Sequence, residues 1–239
     1  MIVIPDDDPS DYALWAAIVE LSRLPVQWIL VGGQMVRVHA NLAGSDPPSA
    51  TADADAVADV RAVPDAIVAI VGALRAMGFT QAAGSGRFVK HAEPLPLKFD
   101  VLIPENVGER TERRVRRTLQ TVSAPGATQA LARSESIQVE LSGKEHTVPV
   151  PGLLGAIILK ACAVDLRITE DERFKHKRDF VFLLSLVDDP LGMRKHVDAK
   201  DRQRLATADR RIPADDAVWD VLGPATARRA RNTLTFLMR

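Results

Sequence analysis

The residues best suited to chemistry in this sequence are three aspartates and a pair of glycines. Asp53 and Asp55 stand two apart in Ser49-Ala-Thr51-Ala-Asp53-Ala-Asp55-Ala-Val57. Side chains alternate across a strand, so both carboxylates project from one face, one pleat apart. Adjacent carboxylates repel unless a cation lies between them, and hard divalent ions such as Mg²⁺ (or Mn²⁺) take oxygen ligands of this kind. Upstream, Trp28-Ile-Leu-Val-Gly32-Gly33-Gln34 reads as a buried strand, a two-glycine turn and the start of a helix. Glycine permits close backbone approach, and a helix N-terminus aims free N–H groups at an anion. An anion cradle beside a metal-binding acid pair points to phosphoryl or nucleotidyl chemistry. Each feature alone has a plainer meaning, since a Gly-Gly often only connects two elements and strand acids often face solvent. A third acid strengthens the combination. In Leu97 to Ile103, Leu97, Phe99, Val101 and Ile103 share one face, while Lys98 and Asp100 take the other.

Two charged residues further on belong with this group. Leu153, Ile157 and Val164 fall in one sector of a helix, and Lys160 falls in the same sector. Lysine is rarely buried without a partner, so Lys160 either snorkels from the stripe or points into a cleft, where it would meet nucleotide phosphates as a point charge. Asp179 flanks the stripe of Phe180, Leu183, Leu184 and Val187, and faces either that cleft or the surface. Arg113, Arg114, Arg116 and Arg117 lie within Thr111 to Val122; such a run is commonly a solvated helix face, or here a local grip on a polyanion.

The elements that must position these groups can be read from periodicity and breakers. Met1 to Asp11 is an extended lead-in, and Tyr12 to Leu24 a helix ended by Pro25. Val26 to Val31 is the first strand and Gln34 to Leu42 the helix after the turn. Asp65 caps a helix running to Met77, with Gly78 in the left-handed position beyond it. Gly84-Ser-Gly86 turns into a strand over Arg87 to His91, and Pro94 and Pro96 break the pattern before the Asp100 strand. Ile137 to Leu141 and Thr147 to Val150 flank Ser142-Gly143-Lys144-Glu145 as a hairpin. Helices follow over Leu153 to Arg167, Phe174 to Val187, Ala199 to Ala208 and Ala225 to Leu237. The change of character near Pro149 divides the chain into residues 1–149 and a mainly helical 150–239, an α+β arrangement.

Composition narrows the surroundings. The 239 residues carry 31 Lys and Arg against 31 Asp and Glu, so no global field draws in nucleic acid, and an RNA partner must be met by a local basic patch. The single cysteine, Cys162, suits a reducing compartment and, among apolar neighbours, reads as a packing residue rather than a nucleophile. No basic-apolar leader is evident and no apolar run approaches the roughly 18 residues of a membrane span, so a soluble, cytoplasmic chain with no membrane partner is expected.

Together, Gly32-Gly33, Asp53-x-Asp55 and Asp100 in an apolar strand resemble the DNA polymerase β-type nucleotidyltransferase core, a mixed sheet with packed helices. Thr51 two residues before Asp53, His39 in the helix after the glycines, Leu153-Leu154-x5-Lys160 and Lys177-Arg178-Asp179-x4-Leu184 resemble the AbiEii/MenT-like toxin nucleotidyltransferases within that superfamily. The chain departs from the family where Gly33 and Gln34 replace a serine after the first glycine, where Ser49 replaces an arginine, and where Ala54 and Ala56 replace bulkier apolar residues.

The resemblance implies transfer of a nucleoside monophosphate from an NTP to an acceptor hydroxyl. Asp53, Asp55 and Asp100 would be metal ligands; Gly32, Gly33, Thr51 and Lys160 would bind nucleotide; Asp179 would order the far side of the cleft. It also implies a tRNA 3′ end as acceptor, growth arrest as outcome, and a cognate antitoxin as partner. Two alternatives stay open. The acceptor is a small molecule of the aminoglycoside type or a protein hydroxyl, or the chain is a binding module that kept the fold and lost turnover.

Overall fold

The computed structural model describes every residue except Asp6, Ala50, Pro94 and Arg167. The expected break at Pro94 and the expected helix end at Arg167 lie outside the described residues. Strands β1 (Ile2–Val3), β2 (Trp28–Val31), β3 (Asp53–Ala58), β4 (Thr80–Gln81), β5 (Arg87–Lys90), β6 (Leu97–Pro104) and β7 (Ser123–Ala124) alternate with helices α1 (Pro9–Ser22), α2 (Gly32–Leu42), α3 (Ala66–Ala76) and α4 (Glu109–Thr118). Helix α5 (Ala127–Ala132) leads into β8 (Ser134–Leu141) and β9 (Lys144–Pro151). The rest is helical: α6 (Leu153–Val164), α7 (Glu170–Ser185), α8 (Pro190–Arg194), α9 (Ala199–Arg211), α10 (Val218–Val221) and α11 (Pro224–Met238). The architecture is α+β with a mixed sheet. No helix among the described residues is long and apolar enough to cross a membrane.

The larger sheet runs β2-β3-β6-β5-β4, with β7 also paired to β6. β2 is antiparallel to β3, β3 parallel to β6, and β6 antiparallel to β5. One face of this sheet is the core. Ala54 lies beside Phe99 and Ala56 beside Val101, Phe99 pairs in turn with Phe88, and all five are fully buried. The alanines that replace bulkier residues thus stand next to a large ring and a β-branched side chain, a small-against-large fit that keeps the layer dense. Helices α1 and α3 pack on each other and on β3. The opposite face carries Asp53, Asp55, Lys98 and Asp100, all partly accessible.

A second sheet, β1-β8-β9, meets the first through packing of β9 on β2. The hairpin is longer than its alternation indicated, with pairing that continues from Ser134 opposite Pro151 to Leu141 opposite Lys144. Its turn is two residues, Ser142 and Gly143, both left-handed at φ 54° and 69°, the geometry whose twist matches the flanking strands. The lead-in is extended as expected, and it also adds β1 in parallel to β8.

Local chemistry moved several helix ends. α1 starts at Pro9 because Asp8 accepts from the N–H groups of Ser10 and Asp11 at 2.9 and 3.1 Å, a cap of about 1 kcal/mol. α7 starts at Glu170, four residues before the apolar pattern, because Thr169 and Glu172 form a capping box. Asp65 stands at the start of α3 but makes no capping bond; its carboxylate accepts from Arg114 instead. α4 stops at Thr118, since the chain then extends toward β7. Gly78 is left-handed after α3, as its position indicated.

Candidate functional site

Strand register assembles the acids. Asp55 on β3 is level with Asp100 on β6, and Asp53 is level with Lys98. Asp100 is level with Arg87 on β5. One row of the accessible face therefore reads Asp55, Asp100, Arg87 across three adjoining strands. Asp53, Asp55 and Asp100 share a face and a locality, as expected from sequence.

The glycine turn is built against this row. Gly32 has φ +69°, and a Cβ there would stand 1.8 Å from Asp55 Oδ2. A Cβ on Gly33 would stand 2.5 Å from Thr51 Oγ1. The turn and the acid strand touch so closely that only glycine fits at either point. Thr51 Oγ1 in turn donates toward the carbonyl and Oδ1 of Asp53 at 3.3 and 3.4 Å, steadying the first acid. Gln34 is fully buried; its Nε2 donates to the Thr51 carbonyl at 3.3 Å, and among the described residues its Oε1 has no partner. Gln34 thus braces the glycine segment from inside.

The helical half carries a charged pair of its own. Lys160 Nζ on α6 donates to Asp179 Oδ2 on α7 at 2.7 Å, with both side chains buried. The cleft reading of these two residues thus becomes a single buried ion pair. The charges of Lys160 and Lys175 both act on Asp55 and favour its ionised form. Burial raises the Asp55 carboxyl to about 6, the charges of Asp100 and Asp53 push the same way, and the two lysines offset part of this. A carboxylate in this setting gains from a bound cation.

Three contributors were not anticipated. Arg87 donates through Nε and Nη2 to Asp100 Oδ1 and Oδ2 at 2.8 and 2.6 Å, a two-pronged guanidinium–carboxylate pair. The contact holds the guanidinium well above its usual range, first through the hydrogen bonds and then through the acids around it. Lys175 is the second. His176, three residues before Asp179, is the third: desolvation first, then the Lys160 charge, lowers it to about 4, and its Nδ1 is buried with no partner among the described residues. Spacing offered a signal for the α7 pair, since positions 175, 176 and 179 share a helix face. For Arg87 the only signal was its place at the start of a strand.

Other expected features have structural roles. His39 Nε2 meets the Pro151 carbonyl at 2.9 Å, tying α2 to the end of β9, and burial holds its pKa below the usual value. Burial pushes the Cys162 thiol up to about 11, which makes it a packing residue rather than a nucleophile. The arginine run lies on α4, whose one buried residue is Val115; Arg114 pairs with Asp65 and Arg116 with Glu112.

Could the acids hold a divalent ion? Asp53 and Asp55 supply hard oxygens on one face, and Gly32 leaves open backbone against Asp55. Among the described residues, however, no three His, Cys, Asp or Glu side chains are gathered as a ready metal cluster. Both oxygens of Asp100 are bonded to Arg87. Asp53 and Asp55 would hold a metal as two hard-oxygen donors, with the remaining positions left to substrate phosphate or water. Scanned against protein-family models the chain matches none, and a search of curated proteins finds no match.

Proposed function

We propose that this chain is a divalent-metal-dependent nucleotidyltransferase of the DNA polymerase β type, moving a nucleoside monophosphate from an NTP to an acceptor hydroxyl. The observation that carries the reading is the row formed by Asp55 and Asp100 on parallel strands, with the Gly32 turn pressed onto the Asp55 carboxylate. Carboxylates from two strands beside a glycine turn that opens a helix suit a triphosphate and its cations.

In this scheme Asp53, Asp55 and Asp100 would hold Mg²⁺ or Mn²⁺. A metal held there would supply charge neutralisation for the transferred phosphoryl group and a lowered pKa for the attacking hydroxyl. The Gly32 and Gly33 backbone cradles phosphate, and Thr51 keeps Asp53 in place. Lys160, buried and held by Asp179, is assigned to the triphosphate on the strength of the same resemblance. Following the resemblance to AbiEii/MenT-like toxins, the proposed acceptor is a tRNA 3′ end, the setting is cytoplasmic, and a cognate antitoxin restrains the chain.

The Arg87–Asp100 pair favours one other reading, a binding module of the same fold without turnover, because it occupies the third acid. Labelled-NTP incorporation separates the two. Wild type with Mg²⁺ or Mn²⁺ is expected to label total RNA, and Asp53→Ala to label nothing. Label on an aminoglycoside or a protein in place of RNA reassigns the acceptor, and no transfer to any acceptor by wild type sinks the enzymatic reading.

A further inference from the structure

We infer that Arg87 is a built-in competitor of the metal at Asp100, a positioning residue that holds the third acid closed until a cation displaces it. The inference rests on the metal-holding role proposed above for Asp53, Asp55 and Asp100. Three observations carry it.

First, the contact uses both oxygens of Asp100, at 2.8 and 2.6 Å from Arg87 Nε and Nη2. A carboxylate engaged this way has its in-plane lone pairs directed at the guanidinium, and a metal entering there must share or replace it. Second, Arg87 is fixed at its base. It is level with Asp100 in the β5–β6 ladder, and Gly86 just before it presses on β6, where a Cβ would stand 2.6 Å from the Val101 carbonyl oxygen and 2.7 Å from Thr121 Oγ1. A larger residue at 86 would push β5 away, so the close approach aims Arg87 at Asp100. Third, the tip is free to leave. The Arg87 side chain is 45 % exposed, against 18 % for Asp100, and the pair walls a recess of about 400 Å³ that also includes Gly84, Gln120 and Thr121. Swinging the guanidinium into that recess breaks no other contact of its side chain among the described residues.

The consequence is unequal loading. A cation meets Asp53 and Asp55 without an arginine partner, but meets Asp100 already bonded to Arg87 and must share that carboxylate or displace the guanidinium. Arg87 thereby keeps the acid row partly neutralised when no metal is present.

The test is Mn²⁺ binding to the full chain without nucleotide, followed by electron paramagnetic resonance of the free ion. Arg87→Ala is expected to tighten binding by about two- to fivefold, the effect of removing one well-formed but partly exposed ion pair. Arg87→Lys keeps the charge but loses the two-pronged contact, and is expected to fall between wild type and Arg87→Ala. The gain must vanish on an Asp100→Asn background, where Arg87 has no charged partner to withhold. Binding that is unchanged or weaker in Arg87→Ala, or a gain that persists without the Asp100 carboxylate, overturns the competition and leaves Arg87 a brace for β5. If Asp53→Ala binds Mn²⁺ as tightly as wild type, the metal-holding role of the acids fails, and the competition fails with it. The first two failures leave that role standing, so the causes are distinguishable.

Discussion

Removing the negative end of the Lys160–Asp179 pair is expected to destabilise the fold far more than breaking any surface pair. The two side chains are 5 % and 1 % exposed and 2.7 Å apart, so Asp179→Asn leaves an ammonium in the interior without its counter-charge. Orphaning one member of a buried pair costs about 3–5 kcal/mol. The lower end applies here, because Asp55 remains close enough to be felt by Lys160. At about 2–4 °C per kcal/mol for a chain of this size, the melting temperature should fall by roughly 6–12 °C. Breaking the exposed Arg116–Glu112 pair by Glu112→Gln should cost about 0.5 kcal/mol or less, and serves as the comparison.

Lys160→Met combined with Asp179→Leu removes both charges and fills the same space, so stability should return to within about 1 kcal/mol of wild type. Urea midpoints measure all four proteins, and the label-transfer assay is run on the double variant. The double variant should be folded and inactive, since the ammonium assigned to the triphosphate is gone. If Asp179→Asn matches Glu112→Gln, or if the double variant loses as much as Asp179→Asn, the pair is not a coupled buried unit. Label transfer by the double variant would remove Lys160 from the nucleotide site.

Two further perturbations probe the acid row. Asp55 is raised from 3.8 to about 6, so the folded protein binds its proton more tightly than the unfolded chain, and the ionised group penalises folding above about pH 6. In metal-free buffer Asp55→Asn should therefore stabilise the protein at pH 8 by up to about 3 kcal/mol, a gain that shrinks below pH 6 and disappears near pH 4. A urea-midpoint difference that does not change with pH would contradict this. Gly32→Ala meets both a left-handed backbone and a Cβ 1.8 Å from Asp55 Oδ2, whereas Gly44→Ala meets a similar backbone with open space around it. Both should lose about 1–3 kcal/mol from the backbone, and only Gly32→Ala should lose more and weaken Mn²⁺ binding; equal effects would mean the turn does not brace Asp55.

Alternation in the Asp53–Asp55 and Leu97–Ile103 segments was enough to assign a face to each acid, because a strand's period of two leaves no freedom. The hairpin around Ser142-Gly143 and most helices were legible for similar reasons, since each rests on backbone preferences acting over a few residues, whereas the two glycines expected as a turn before Gln34 are the first residues of α2. Helix starts governed by side-chain caps, as at Asp8 and Thr169, were not found by apolar spacing, which is blind to hydrogen bonds at a terminus.

Pairings between distant segments stayed hidden. Lys160 and Asp179 each presented a choice between cleft and surface, and packing of α6 on α7 resolved both at once by joining them. Beyond its place at the start of a strand, Arg87 gave no sign of its pairing with Asp100, because that partner is fixed by the β5–β6 register, and register follows from how whole strands bury their apolar faces. Local sequence thus determined which residues could act and on which face each would stand. Tertiary structure decided which charges meet, because a charge pair depends on distances between elements that neighbouring residues do not specify.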